Sequence, residues 1–132
     1  MNLEFNNKTP LYLQIANMIR DAILSGDLKE NEPIPSVRQI SVEYNINPQT
    51  ILNATQILIQ EELIEKRRGL GMYVKSGAKE LLTNSSKTEF INEDIEKLIN
   101  KAKLLGYTKN QTIQIIEDSF EKNISSKNEG EN

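Results

Sequence analysis

The chain has 132 residues, a formal net charge of −3 and 37% hydrophobic residues, and it contains neither cysteine nor histidine. This composition fits one small domain with an appendage, and it excludes disulfides, thiolate chemistry, the usual zinc sites and histidine-dependent catalysis. No apolar run reaches membrane-spanning length and no basic-then-apolar leader is present, so we expect a cytoplasmic protein with no cofactor, metal site, membrane association or enzymatic activity.

The first helix is predicted directly after Pro10. Its apolar residues recur at helical spacing, and Gly26 supplies the left-handed exit that commonly ends such a helix. The apolar stripe consists of Tyr12, Ile15, Ile19, Ala22 and Ile23. We therefore expect one amphipathic helix.

A short second helix is predicted to begin after Ser36, which forms an S-x-x-Q capping box with Gln39. Arg38 lies in its first turn, where a positive charge opposes the helix dipole. This arginine is therefore either an ordinary surface residue that is tolerated there or a residue with a function.

The third helix has a clear start, because Pro48 suits the first helical position and Asn47 before it is a natural N-cap. Its inner side is mostly apolar, whereas its outer side carries only uncharged amides. The inner residues are Ile51, Ala54, Thr55, Leu58 and Glu62, and the outer residues are Gln49, Asn53, Gln56 and Gln60. Such an outer face is unusual for a helix that meets only solvent.

Residues 64–67 and 72–75 are predicted to be the two strands of a hairpin across residues 68–71. Two helices across a short turn form a helix-turn-helix, and a following hairpin makes it winged. The predicted fold is therefore mainly α: a winged helix-turn-helix of three helices and a small β-wing, followed by a two-helix C-terminal arm.

Six short motifs in this region resemble the GntR family of bacterial transcription regulators. They are PLYLQI at 10–15, GDL at 26–28, PSVRQI at 35–40, NINPQTI at 45–51, LI at 63–64 and RGLGMYV at 68–74. The resemblance implies a domain that binds operator DNA as a dimer. The chain departs from the family pattern at Leu70 and Met72, where a basic residue and Thr are usual, and at Glu62, where Gly commonly ends the helix.

The resemblance also implies which residues contact DNA. Ser36 and Arg38 are expected to meet the backbone or a base edge, Gln49, Thr50 and Asn53 to enter the major groove, and Arg68, Gly69 and Gly71 to form the wing tip. Either Arg67 or Arg68 is expected to touch phosphate or the minor groove, and we favour Arg68.

Several of these side chains have a plainer interpretation as well. Arg38 is otherwise an ordinary surface arginine, Gln49 and Asn53 are solvated amides, and Thr50 helps to cap the helix. Contact with DNA suits their chemistry, because arginine grips phosphate or guanine bidentately and an amide pairs with adenine N6 and N7.

The charge balance argues against a protein that covers nucleic acid without sequence specificity. Residues 1–77 contain 8 basic and 9 acidic residues, whereas proteins of that class are strongly basic. A sequence-specific DNA-binding protein with its positive charge confined to one face is compatible with these counts. The acidic residues Glu61, Glu62 and Glu65 are expected to form a solvated helix end.

The remaining chain is predicted to form two helices and a tail. We assign residues 1–76 to the winged domain, 77–124 to the dimerisation arm and 125–132 to a disordered polar tail. Residues 84–87 either interrupt the first arm helix or form its exposed side, and Thr108 to Gln111 is a second capping box. The run KLLGYT at 103–108 resembles the short C-terminal arm of the YtrA subfamily, which implies dimerisation.

An apolar stripe follows both arm helices and has two interpretations, a core that folds back on the winged domain or a dimer interface. We favour the interface, because a patch of this size would be unusual on a monomer. Its residues are Leu81, Ile91, Ile95, Leu98, Ile99, Ala102, Leu105, Ile113, Ile116 and Phe120.

These observations predict a sequence-specific transcriptional regulator, a repressor that binds a palindromic operator in double-stranded DNA as a homodimer. The alternative is a winged-helix module for protein–protein contact without specific DNA binding, which the acidic balance permits. Whether a small-molecule effector exists is unknown from the sequence.

Overall fold

The computed structural model describes residues 5–130, with side chains up to residue 123. Helices predominate, and the two strands pair as one small antiparallel sheet. The elements are α1 (Leu11–Ser25), α2 (Val37–Tyr44), α3 (Pro48–Gln60), β1 (Ile64–Arg67), β2 (Gly71–Val74), α4 (Ala78–Glu89), a π-helical turn (Phe90–Asp94), α5 (Ile95–Leu104) and α6 (Lys109–Gly130). This is the predicted mainly α fold with a small β-wing.

The core of the winged domain lies where α1 and α2 pack against α3. Its largest side chains are almost completely buried, and each contributes about 1.5–3 kcal/mol by leaving water. These side chains are Ile15, Ile19, Ile23, Ile40, Ile51, Leu58, Leu63, Ile64 and Val74. The predicted apolar stripes of α1 and α3 therefore do face inward. Glu62, which was expected on the inner side of α3, instead follows the helix and is exposed.

The starts of α2 and α3 follow the predicted caps. The Ser36 hydroxyl accepts from the Gln39 N–H at 3.1 Å, while the Ser36 N–H donates to Gln39 Oε1 at 2.8 Å, which completes the capping box. Asn47 Oδ1 accepts from the Gln49 N–H at 2.9 Å, and Pro48 is the first residue of α3. These caps fix where the two helices begin.

The wing is extended by the segment that precedes α2. Strands β1 and β2 pair from Ile64 opposite Val74 to Arg67 opposite Gly71. Residues 31–34 run along the free edge of β2, where the Asn31 N–H donates to the Val74 carbonyl at 2.8 Å and the Ile34 N–H donates to the Met72 carbonyl at 2.9 Å.

The chain divides into two compact units, and the first ends at Lys87 rather than at residue 76. The reason is that Ala78 and Leu82 of α4 are buried with the core of the winged domain. Helix α4 is regular through residues 84–87, so this polar run is not an interruption. The regular α-helical pattern is replaced by the π-helical turn only at Phe90–Asp94.

The second unit contains α5 and α6. Gly106, at φ 83°, ends α5 in a left-handed conformation, and the Tyr107 N–H donates to the Ala102 carbonyl at 3.0 Å. The predicted capping box then starts α6, with the Thr108 N–H donating to Gln111 Oε1 at 3.0 Å and the Gln111 N–H to Thr108 Oγ1 at 3.2 Å.

Helix α6 continues to Gly130, so residues 125–130 are helical where a disordered tail was expected. The sequence allows this continuation, because neither Pro nor Gly occurs between Lys109 and Gly130. Residues 131 and 132 of the expected tail lie outside the described residues.

Candidate nucleic-acid interface

The outer face of α3 is polar but uncharged. Residues 48–60 contain no Lys, Arg, Asp or Glu. Gln49 and Asn53 are exposed, and Gln49 Nε2 donates to Asn53 Oδ1 at 3.0 Å. Leu52 between them is 46% exposed. This face therefore offers amide donors and acceptors together with one apolar side chain.

Ser36 and Arg38 lie at the start of α2. The Ser36 oxygen acts as the acceptor in the capping box, so its hydroxyl proton stays available for another acceptor such as a phosphate oxygen. Arg38 is exposed and makes no hydrogen bond or ion pair with the residues that the structure describes. Both groups can therefore meet an anion.

Thr50 lies half-buried in the first turn of α3, and its N–H donates to the Asn47 carbonyl at 3.0 Å. The side-chain cap of this helix comes from Asn47 instead. Within the described part of the chain the Thr50 hydroxyl has no partner. The Thr50 side chain therefore does not cap α3.

The two wing arginines have different surroundings. Arg67 Nη2 donates to Asn31 Oδ1 at 3.0 Å and to Glu65 Oε1 at 3.1 Å, and the guanidinium lies over the Tyr73 ring. Arg68 is exposed and has no partner among residues 5–123. Arg67 is therefore engaged within the wing, whereas Arg68 is free to bind a ligand.

The tip of the wing is a tight turn, in which the Leu70 N–H donates to the Arg67 carbonyl at 2.9 Å. Gly69 and Gly71 have φ values of 76° and 104°, which side chains other than glycine rarely adopt. Leu70 is 67% exposed at this tip. The turn thus brings backbone and one apolar side chain to the outermost point of the hairpin.

A groove of about 580 Å³ separates α3 from the wing. Its walls come from the start of α2, the outer face of α3 and one face of the hairpin. The lining residues are Val37, Gln49, Leu52, Asn53, Thr55, Gln56, Ile59, Lys66 and Met72. Of the predicted contact residues, only Gln49 and Asn53 line it.

Lys66 is a candidate contact that the sequence-based predictions missed. It is exposed in the groove and makes no ion pair with any described residue. Strand alternation could have identified it, because Lys66 shares the face of β1 that carries Ile64, opposite Glu65 and Arg67.

The acidic residues after α3 are neutralised inside the winged domain. Glu61 forms a two-pronged ion pair with Arg20, with N···O distances of 2.5 and 2.9 Å, and Glu65 pairs with Arg67 at 3.1 Å. Within residues 5–123, Arg38, Lys66 and Arg68 have no carboxylate partner. Net negative charge therefore does not prevent one face from being positive.

Glu62 is the third acid of this segment and pairs with Lys75. The hydrogen bond from Lys75 and its positive charge lower the pKa of Glu62, and the same interaction raises the pKa of Lys75. Among the side chains of residues 5–123, no cluster of acidic groups could hold a metal ion. No helix of that range is long and apolar enough to span a bilayer.

Comparison with known proteins identifies the family. Residues 11–74 match the gntR family of bacterial regulatory proteins. A GntR family transcriptional regulator from Bacteroides thetaiotaomicron, known as a crystal structure, is 31% identical, with a TM-score of 0.68 over 86% of this chain and 99% of that chain. The chain belongs to the GntR family.

Two further proteins resemble this GntR chain over most of their length. The HTH-type transcriptional repressor YtrA of Bacillus subtilis (strain 168) is 32% identical over 106 residues, which is 80% of this chain and 81% of YtrA. A GntR family regulator from Listeria monocytogenes is 28% identical, with a TM-score of 0.73 over 86% of this chain and 98% of that one. The predicted family, its YtrA-like type, the winged fold and the function as a DNA-binding transcriptional regulator are confirmed. The family is one of regulators, not of enzymes.

Proposed function

We propose that this GntR regulator represses transcription by occupying a palindromic operator as a homodimer. The observation that carries the proposal is the face made by the start of α2, the outer side of α3 and the wing, where exposed amides lie among cations that have no carboxylate partner. Repression is supported by the likeness to YtrA, which is named as a repressor.

The phosphate contacts come from groups that the fold leaves unsatisfied. Arg38 and Arg68 supply charge, and the hydroxyls of Ser36 and Thr50 supply neutral donors. Such contacts fix the position of a protein on the duplex without reading sequence. The amides at the N-terminal end of α3 then read base edges, as in other helix-turn-helix proteins.

The wing contributes through its backbone and through one arginine. Without side chains, Gly69 and Gly71 let the hairpin tip approach the duplex closely. Arg68 directly before this tip is exposed, while Arg67 is held by Glu65 and Asn31. We therefore assign the wing's phosphate or minor-groove contact to Arg68 and give Arg67 a supporting role.

Dimerisation is supported by the apolar surface of the second unit. No residue from 88 to 123 is fully buried, and an apolar groove of about 480 Å³ lies between α5 and α6. The predicted interface side chains of this unit are all exposed or half-exposed: Ile91, Ile95, Leu98, Ile99, Ala102, Leu105, Ile113, Ile116 and Phe120. Leu81, the remaining predicted interface residue, lies in the first unit and is exposed there. A palindromic operator with half-sites about 34 Å apart also needs two DNA-binding domains, and a second copy supplies the second one.

The test begins with selection of bound sequences from a random duplex pool, followed by anisotropy titrations of the selected and a scrambled duplex at several salt concentrations. We expect a palindromic consensus, and the logarithm of the affinity should fall by about 0.9 per phosphate contact for each tenfold rise in salt. Recovery of no consensus, together with equal binding to both duplexes, would favour the protein–protein alternative.

A further inference from the structure

The groove between α3 and the wing suits the backbone of one DNA strand. Most of its lining is apolar or uncharged, and among the described residues that line it only Lys66 carries a charge. Lys66 has no carboxylate partner within residues 5–123, and Leu52 and Met72 add apolar surface. A DNA strand presents the CH groups of deoxyribose beside a phosphate, and DNA-binding proteins commonly contact both sugar and phosphate. The lining of the groove therefore matches the chemistry of such a strand.

A DNA strand in this groove determines where the tip of the wing lies. In a duplex, the sugar–phosphate backbone of each strand separates the major groove from the minor groove. If α3 enters the major groove, the hairpin crosses the bound backbone and its tip reaches the adjacent minor groove, which is about 6 Å wide. This placement of the tip rests on the operator binding proposed above.

Leu70 is the apolar side chain at this tip. It is 67% exposed and does not pack against the core of the winged domain. Its neighbours Gly69 and Gly71 carry no side chains, and a Cβ atom at either glycine would have no atom of the described chain within 4 Å. The tip is therefore narrow and stands clear of the rest of the domain, so Leu70 can enter a groove that would exclude a broader loop.

The base pairs differ in the minor groove by one hydrogen-bond donor. A·T and T·A pairs present only acceptors there, whereas a G·C pair adds the guanine N2 amino group. A leucine side chain cannot accept a hydrogen bond, so contact with G·C would bury this donor without a partner and lower the affinity. We propose that Leu70 contacts the floor of the minor groove in each half-site and restricts the base pair that it covers to A·T or T·A.

The experiment starts from the duplex that the wild type selects and changes one A·T pair at a time. Replacing adenine by 2,6-diaminopurine adds the N2 amino group in the minor groove and leaves the major-groove edge unchanged. An inosine·cytosine pair does the reverse, because it changes the major-groove edge and adds no amino group. In each half-site we expect an A·T pair at which diaminopurine weakens the wild type by about five- to a hundredfold, whereas inosine·cytosine does not.

Variants of the tip then assign this effect to one side chain. Leu70→Ala should bind the adenine and diaminopurine duplexes about equally, whereas Leu70→Met, which keeps a long apolar side chain, should still discriminate. Both should melt with the wild type, because Leu70 does not pack against the core. The matched control is Val42→Ala, which shortens an exposed apolar side chain of α2 outside the groove and should discriminate as the wild type does.

The comparison with Leu70→Ala also separates Leu70 from its neighbour Arg68. An effect of diaminopurine on the width of the groove, or on an arginine inserted there, would persist in Leu70→Ala. Equal discrimination by the wild type and Leu70→Ala would therefore overturn the assignment to Leu70, as would the absence of any A·T pair with the expected pattern, and both results would leave operator binding intact. A wild type that selects no consensus would instead overturn the proposed function, and the role of Leu70 with it.

Discussion

The guanidinium of Arg67 lies over the ring of Tyr73, with its central carbon 4.3 Å from the ring centroid. The same group donates to Asn31, which precedes α2, and to Glu65 on its own strand. Arg67 thereby joins β1, β2 and the edge segment of residues 31–34. A cation over an aromatic ring contributes about 0.5–1 kcal/mol at an exposed position, so Arg67 stabilises the wing.

The first prediction separates the two wing arginines. Arg67→Lys keeps the charge but loses the planar fork and the stacking on Tyr73, so we expect a loss of about 1 kcal/mol in the free energy of unfolding. Arg68→Ala should leave stability unchanged, weaken binding to all DNA sequences and lower the salt slope by about one. Chemical denaturation and anisotropy titrations measure the two effects, and the reverse pattern would contradict our assignment.

The second prediction concerns Arg38 in the first turn of α2. Arg38→Ala should weaken DNA binding without destabilising the fold, because the side chain has no internal partner and its charge opposes the helix dipole. Its control is Lys79→Ala, which removes an exposed charge outside the predicted contact set and should leave binding unchanged. Arg38→Lys then distinguishes two roles: it should keep most of the affinity if Arg38 meets phosphate, and should lose preference at one guanine if it reads a base edge.

Features set by neighbouring residues were predictable from the sequence. The caps of α2, α3 and α6 each join residues no more than three apart, as between Ser36 and Gln39 or Thr108 and Gln111. The polar outer face of α3 also followed from helical period alone. Local geometry determines such contacts, so they can be derived before any tertiary structure is known.

Features that depend on distant parts of the chain were not predictable in this way. Arg67 bonds Asn31, 36 residues earlier, and Glu61 bonds Arg20, 41 residues earlier. Neither pairing has a local signal, because the tertiary structure brings these distant residues together. The boundary at Lys87 likewise depends on whether α4 buries its apolar residues in the winged domain.

The third prediction concerns Glu62, which follows α3 at φ 65° and allows the Leu63 N–H to reach the Leu58 carbonyl at 3.0 Å. This left-handed conformation is strained for any residue with a Cβ atom. Glu62→Gly should therefore melt about 4–8 °C above Glu62→Ala, since both variants lose the ion pair but only Gly relieves the strain. Equal melting temperatures in calorimetry would show that the backbone strain is negligible.

The fourth prediction concerns the pH dependence of the Glu62–Lys75 pair. The pKa of Glu62 is lowered from its ordinary 4.5, so its contribution is present above that pH and is lost as the pH falls through the folded-state value. The pKa of Lys75 is raised from its ordinary 10.5, so its contribution is present below that pH and is lost as the pH rises through the folded-state value.

The wild type should consequently melt above Lys75→Gln between about pH 5 and pH 10, and the difference should shrink toward acid, toward strong base and in 1 M salt. Lys79→Gln is the control, because the Lys79 ammonium has no carboxylate partner within residues 5–123. A difference between wild type and Lys75→Gln that stays constant across pH and salt would show that the ion pair is not its source.

The fifth prediction tests the dimer. Ile99 is 43% exposed and lines the apolar groove between α5 and α6. Ile99→Glu would place a charge where a second copy is proposed to pack, so sedimentation should show a monomer at concentrations at which the wild type is a dimer. Asn100→Glu is the matched control, because it adds the same charge at the next position of α5, outside the groove, and should remain dimeric.

The same pair of variants tests whether dimerisation serves DNA binding. Joining two DNA-binding domains in one dimer commonly raises the affinity for DNA by about 10²–10⁴-fold over a single domain. The monomeric Ile99→Glu variant should therefore lose about that factor on the palindromic duplex, yet bind a single half-site as well as Asn100→Glu does. If Ile99→Glu were monomeric and still bound the palindrome at full affinity, one copy would suffice, and the apolar surface of α5 and α6 would need another role.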